Sequence, residues 1–367
     1  MGPTKKKSFQ VGPSNNHLRW FTKIKESPLT WASLIFACVP PSKIVLVFLL
    51  RHLFNLLMKS IHGTRRLFLY MLTLDNYYKS LFGTKTYKIS LNSTCTCPNR
   101  DGTAGTGGCI FCNQSGSGDF MPSQELTLSE QIEAAKIIIQ KKIRNPQNLK
   151  YIVYFQNFSA TYGQPKRLKK LWTEAIRAPG VVGLALGTRP DCLAPEILSI
   201  LAELAEKTYI QIELGLQTSN EKSAEYINRC YKNEIYLHAV ENLHKANSKI
   251  HVVTHIIFGL PSENQKDMLD SVRFAISSKT DGIKITNLYV LKNTRLEKEY
   301  LAGTFKILDY EEYFNLIRQA LTLLPENIVV HRLTGDPPRA SLLAPAWCTD
   351  KKRTMNEVKS ILSAFCG

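Results

Sequence analysis

The chain has 367 residues, 44% hydrophobic and 21% charged, which is long enough to bury a large core and excludes a disordered or collagen-like polymer. Lys and Arg number 47 against 30 Asp and Glu, a formal charge of +17; such a field gathers polyanions such as RNA or an anionic membrane surface, and a plainly solvated surface accounts for it equally well. Nine cysteines in so long a chain, four of them between Cys95 and Cys112, exclude a dense disulfide framework and favour metal binding in a reducing compartment, the cytoplasm.

Residues 1–73 read as an N-terminal extension. Part of the positive excess sits there, in Lys5, Lys6, Lys7, Arg51, Arg65 and Arg66. Leu29 to Met58 is apolar, but Pro40 and Pro41 interrupt it, Lys43 and Arg51 punctuate it, and the unbroken run Ile44 to Leu50 is far short of the ~20 residues a spanning helix needs. A peripheral or poorly ordered extension is the first expectation and a membrane-associating helix the second; no stable membrane anchor is expected. The run starts late for a signal peptide, and Met71 is an alternative start that would make the preceding residues an over-extended reading frame.

From about Asp75 the sequence alternates short β-branched runs with longer amphipathic ones, the pattern of βα units on a parallel sheet. Strands are expected at Lys85 to Leu91, Tyr151 to Phe155, Val181 to Leu186, Tyr209 to Leu214, Ile250 to Phe258 and Gly282 to Val290. Helices are expected at Ser129 to Arg144, Pro165 to Arg177, Pro195 to Glu206, Glu234 to Ala246 and Asn264 to Ser277, where apolar residues recur every three or four positions. Runs such as Ile152-Val153-Tyr154-Phe155 imply strands covered on both faces, in a barrel or an open sheet. Past Val290 the rhythm changes to a helix at Tyr310 to Leu324, a strand at Ile328 to Leu333, a turn at Gly335 to Pro338 and a basic tail through Lys351, Lys352 and Arg353. The expected domains are residues 74–291, a six-unit α/β core, and residues 292–367, a small C-terminal α+β subdomain.

The chemistry concentrates in Thr94 to Phe120, directly after the first strand, on the side of a βα fold where ligand sites are built. Cys97, Cys109 and Cys112 supply three thiolates. Thiolates hold iron–sulfur clusters, and three on a [4Fe-4S] cubane leave one iron open to chelate the amino and carboxylate groups of S-adenosylmethionine, whose reductive cleavage yields a 5'-deoxyadenosyl radical. Glycines at 102, 105, 107 and 108 let the loop wrap closely and bring amides to sulfur. A CxxC pair alone equally suits zinc, with Cys95 or Cys97 completing the set; a zinc-stabilised RNA-binding module without redox catalysis is the alternative.

Cys97-Pro-Asn-Arg-Asp-Gly-Thr followed by Gly107-Gly108-Cys109-Ile-Phe-Cys112 resembles the bacterial radical SAM proteins of the YhcC/YtqA type, relatives of the Elongator catalytic subunit. The resemblance continues through Tyr154-Phe155-Gln156, Gly187-Thr188-Arg189-Pro190-Asp191, Glu213 to Thr218, Ile227-Asn228-Arg229, His255, Gly259-Leu260-Pro261, Asp281 to Lys284, Arg332 to Asp336 and Ala344-Pro345-Ala-Trp347, from about Leu74 to the C-terminus. It implies a partial (β/α)6 radical SAM barrel, with a [4Fe-4S] cluster on Cys97, Cys109 and Cys112 in the family's wide spacing and Cys95 spare. Phe111 resembles the residue that packs on the adenine. The usual Gly-Gly-Glu strand end that binds the methionine amino group is absent; Gln156 stands in the corresponding place. The link to the Elongator subunit implies tRNA as substrate, at the carbon-5 side chain of a wobble uridine, with an electron donor such as flavodoxin or ferredoxin and a possible downstream methyltransferase.

Other residues complete the candidate set. Glu213 ends a buried strand, where a carboxylate needs partners; a cosubstrate or substrate role is expected, or a salt bridge across the barrel mouth to Arg189. Arg189, beside Asp191, offers a two-pronged grip on a carboxylate or phosphate. His255 and Lys284 lie on the fifth and sixth strands and, with Glu213, are the catalytic candidates, His255 as a neutral-pH proton shuttle. Cys192, Cys230, Cys348 and Cys366 read as buried packing. His331, Arg332, Gly335 to Arg339 and Lys351 to Arg353 could contact phosphates.

Overall fold

The computed structural model describes residues 72–366, apart from residues 117, 120, 124 and 145. The expectations for the apolar stretch, for the basic residues around it and for Met71 fall outside the described residues. The chain divides into Met1–Leu67 and Phe68–Gly367, and all that follows concerns the second unit. Among the described residues no helix is long and apolar enough to cross a membrane.

The unit opens with α1 (Leu74–Phe82) and β1 (Thr86–Leu91). Helix and strand then alternate: α2 (Leu128–Gln140), β2 (Lys150–Phe155), α3 (Pro165–Ile176), β3 (Val181–Thr188), α4 (Pro195–Ala205), β4 (Tyr209–Gln217), α5 (Glu221–Tyr226), α6 (Asn233–Ala246), β5 (His251–Phe258), α7 (Gln265–Ser277) and β6 (Gly282–Asn287). The remainder comprises β7 (Val290–Leu291), α8 (Arg295–Leu301), α9 (Tyr310–Leu323), β8 (Val329–Arg332), β9 (Leu342–Ala344) and α10 (Lys351–Cys366). Local chemistry sets the helix starts. Thr127 with Glu130, Asn264 with Asp267 and Asp309 with Glu312 form reciprocal capping boxes, and Pro165 and Pro195 occupy first turns, where no amide donor is lost.

Seven strands form one parallel sheet in the order β1-β2-β3-β4-β5-β6-β8. The six expected strands are all present, and the expected C-terminal strand joins the same sheet as its seventh member, Val329 pairing with Gly282 and Val330 with Ile283. The expected single strand Gly282 to Val290 is two: the Leu288 amide makes the last bond to β5, at the Phe258 carbonyl, 2.8 Å, and β7 pairs antiparallel with β9. The expected basic tail at Lys351 to Arg353 is the first turn of α10, because an apolar stripe with Val358 and Ile361 is buried further along.

The sheet curls. Lys88 on β1 and Lys284 on β6 are five strands apart in order, roughly 24 Å on a flat sheet, yet both contact Glu213 on β4, at 2.6 and 3.0 Å. Only a partial barrel with these side chains in its lumen permits that. The outer face, with the helices laid on it, forms the main core, in which Trp172, Tyr236, Phe155, Phe258, Tyr313 and Phe314 are fully buried. At the strands' N-terminal end α1 packs under the lumen, with Tyr78 donating to Gln211 at 2.9 Å and Tyr77 Oη 3.2 Å from His251 Nδ1. Leu72 and Thr73 cover β8, the Leu72 carbonyl accepting from the Val330 amide at 2.8 Å.

Candidate active site at the C-terminal mouth of the barrel

The β1–α2 connection carries Cys97, Cys109 and Cys112. It is anchored at its root by Asn157, which accepts from the Ser93 amide at 3.3 Å and donates to Asn92 at 3.1 Å. Within the loop the Gly108 amide donates to the Asn99 carbonyl and the Arg100 amide to the Cys97 carbonyl, both at 2.8 Å, and the Cys112 amide to Cys109 at 3.0 Å. Asn228, beyond β4, closes it from the far side by donating to the carbonyls of Gly108 at 2.8 Å and Thr106 at 3.1 Å. A loop with no regular structure therefore holds its shape through its own backbone bonds and the segments that follow β2 and β4.

The three thiols share one electrostatic neighbourhood. Burial pushes Cys109 up to about 12, with Cys112 next in effect and Arg189 opposing; burial also raises Cys97 and Cys112. A group that binds thiolate has to displace these protons. Among the described residues no three His, Cys, Asp or Glu converge on a single metal-ion position; thiolates that each take a different iron of a cubane have no need to converge. The donor set suits a cluster: three soft sulfurs, half-buried, each beside an N–H group. Cys95 stands elsewhere, buried in the main core with its sulfur 3.3 Å from Arg167 Nη2.

Below the loop, the lumen centres on Glu213, 4% exposed. Its carboxylate takes Lys88 at 2.6 Å and Gln211 at 2.8 Å on Oε1, and Tyr154 at 2.6 Å and Lys284 at 3.0 Å on Oε2. Burial alone would raise its pKa; Lys284, Lys88 and the hydrogen bonds overcome this and hold it well below the usual range. The expected bridge from Glu213 to Arg189 is not formed. Arg189 instead grips Asp191 with two bonds, at 2.9 and 2.6 Å, donates to the Arg229 carbonyl at 3.0 Å and lies over the Tyr231 ring, because Asp191 lies two residues away at the same strand end.

The structure thus joins Glu213 and Lys284 in one network. His255 lies within the electrostatic reach of Lys284, its Nε2 2.9 Å from Thr286 Oγ1. Burial, then Lys284, pushes its pKa down to about 3, which favours the neutral imidazole at physiological pH. Gln156 follows β2, with Ser90 Oγ at 3.5 Å. Phe111 is partly buried against a separate apolar cluster with Ile110, Ile257 and Leu288. Cys192 and Cys348 are buried as expected, whereas Cys230 is exposed, on a turn with φ of 62°. Among the phosphate-contact candidates, Lys351 pairs with Asp336 at 2.9 Å and Arg339 donates to the Thr349 carbonyl at 2.6 Å. Sequence reasoning missed Lys88, whose parity with Ser90 on β1 places it in the lumen, and Asn99 and Arg100, which lie inside the cysteine motif. It also missed Glu263, which accepts from Thr218 and whose carboxyl burial pushes up to about 7.

A partial barrel of parallel strands with a thiol-bearing loop over its C-terminal mouth is the architecture of radical SAM enzymes. A family model described as the radical SAM superfamily matches residues 91–275, and one described as the radical SAM C-terminal domain matches residues 280–364. The chain belongs to the radical SAM superfamily, and its cofactors are those of that family, a [4Fe-4S] cluster and S-adenosylmethionine. It is 36% identical over 290 residues to YtqA of Bacillus subtilis, covering 79% of this chain and 88% of that protein. A tRNA uridine(34) acetyltransferase of Methanocaldococcus jannaschii is 26% identical over 160 residues, 43% of this chain and 29% of that protein. Among solved structures, archaeal Methanocaldococcus infernus Elp3 with residues 1–46 deleted superposes with a TM-score of 0.54 at 17% identity, over 75% of this chain and 63% of that one, a likeness of fold.

Proposed function

We propose that Cys97, Cys109 and Cys112 hold the [4Fe-4S] cluster and that the enzyme modifies the carbon-5 side chain of a wobble uridine in tRNA. The observation that carries the site is the placement of three half-buried thiols in one loop at the C-terminal end of β1, each with a nitrogen donor beside it. When bound, the cluster supplies the electron that cleaves S-adenosylmethionine and so makes hydrogen abstraction from carbon possible. The chain's own residues bind and exclude: Gln156, at the end of β2, takes the place of the missing acidic strand end and offers an amide oxygen to the methionine ammonium; Arg189 and Asp191 wall the site beside Cys97 and Cys109; Phe111 offers its ring to the adenine. Glu213, with Lys88 and Lys284, forms a polar lumen floor.

The tRNA reading rests on the relative that acts on tRNA uridine 34, together with the excess of Lys and Arg. The electron comes from a small one-electron carrier such as flavodoxin or ferredoxin in the cytoplasm, and a methyltransferase can act on the product. Residues 74–291 are the catalytic core and residues 292–367 its C-terminal subdomain. Nucleoside analysis of tRNA from cells lacking the protein tests the substrate: one modified uridine should vanish and its precursor accumulate. An unchanged profile rejects tRNA and leaves the radical chemistry standing, while wild-type protein that takes up zinc in place of iron and sulfide rejects the cluster assignment.

A further inference from the structure

Two adjacent residues of the cysteine loop face all three thiols. The backbone amide of Asn99 is directed at Cys97. The side-chain Nδ2 of Asn99 lies 3.7 Å from Cys109 Sγ, and Nη2 of Arg100 lies 3.1 Å from Cys112 Sγ. Asn99 is fully buried and its amide is oriented from outside, Nδ2 also donating to the Asn228 carbonyl at 2.5 Å.

Arg100 is held just as firmly. Nη2 donates to the carbonyls of Cys112, at 3.3 Å, and Asn113, and the guanidinium lies over the Phe158 ring at 5.3 Å. These partners are carbonyls, a sulfur and a ring face, none of them an anion when the thiol is protonated. The loop is shaped to admit the arginine: at Gly108, with φ of 75°, a Cβ would stand 3.1 Å from Arg100 Nε.

A hydrogen-bond donor to a ligating sulfur, and above all a cationic one, stabilises the more negative reduced state of an iron–sulfur cluster and raises its potential. We propose that Asn99 and Arg100 set the reduction potential of the cluster, Arg100 through a charged N–H···S bond to Cys112 and Asn99 through neutral bonds to Cys97 and Cys109, and so decide which one-electron donor can reduce it. This rests on the assignment of the three cysteines as cluster ligands. Arg100 and Asn99 act through the sulfurs and are positioning residues.

The test uses the full chain, anaerobically loaded with iron and sulfide, the two assayed before any further measurement. The midpoint is then read by following the reduced cluster's paramagnetic signal against solution potential, without S-adenosylmethionine. Arg100→Gln should lower the reduced-to-oxidised ratio at fixed potential about tenfold, 59 mV for one electron. Arg100→Lys, which keeps the charge, should restore most of that ratio, and Asn99→Ala should lower it by a smaller factor. A fully loaded Arg100→Gln with the wild-type midpoint overturns the proposal; if that variant does not load, an unchanged midpoint in a fully loaded Asn99→Ala overturns it. Failure of the cluster assignment looks different: the wild-type protein itself then carries no paramagnetic cluster.

Discussion

Glu213 illustrates how a single buried charge is made tolerable. A carboxylate at 4% exposure would by itself cost several kcal/mol; here two ammonium groups and two neutral donors occupy both oxygens. The pair of lysines makes the network asymmetric to substitution. Glu213→Gln leaves the half-buried Lys88 and Lys284 without their anion and should cost about 3 kcal/mol, whereas Lys88→Met leaves Lys284 still paired and should cost clearly less. Denaturant unfolding of the two variants distinguishes these outcomes, and equal losses would contradict the shared-counterion reading.

His255 gives the chain a pH dependence of known sign. Its folded pKa is depressed to about 3, by burial first and Lys284 second, against ~6.5 in an unfolded chain. Stability from its neutrality is complete above about pH 6.5 and is lost as the pH falls toward 3, because the unfolded chain takes up the proton first. His255→Gln should therefore flatten the fall in unfolding free energy between roughly pH 6 and pH 4, measured by denaturant titration at several pH values; an unchanged slope would place the histidine in contact with water.

Among the elements, the β1–α2 loop binds most tightly to its glycines. Gly108 has a φ of 75°, a region side chains rarely occupy, and its missing Cβ is the space that Arg100 uses. Gly108→Ala should displace the guanidinium from Cys112 and lower iron and sulfide per chain by more than half, while the far-ultraviolet spectrum and thermal midpoint, set by the sheet, stay near wild type. Analytical iron and sulfide with a melting curve check both halves. Five of the helices behave differently: their starts follow from three reciprocal caps and two first-turn prolines, so local sequence suffices for those.

At the scale of the molecule, the C-terminal part is stitched into the barrel and does not merely follow it. β8 completes the sheet against β6, and Tyr313 and Phe314 of α9 are fully buried in the main core. A chain ending at Leu291 would expose that surface and the free edge of β6; it should be recovered mainly as aggregate, in soluble yield and size-exclusion profile, and a monodisperse truncated protein would show that the core needs no such cover. In the sequence, 11 of the 47 Lys and Arg but one of the 30 acidic residues precede residue 72, so that segment carries +10 of the formal net charge of +17.

Sequence by itself determined the six strands of the core, the helices between them and the parallel sheet, and put three cysteines in the loop after the first strand, because periodicity and capping chemistry are local properties that a short window carries. Only the tertiary structure decided that Glu213 faces Lys88 and Lys284 and leaves Arg189 to Asp191, that the seventh strand closes on β6, and that Asn99 and Arg100 meet the sulfurs. Those outcomes depend on curling the sheet until β1 and β6 share a lumen, a distance set by the whole barrel and written in no single segment.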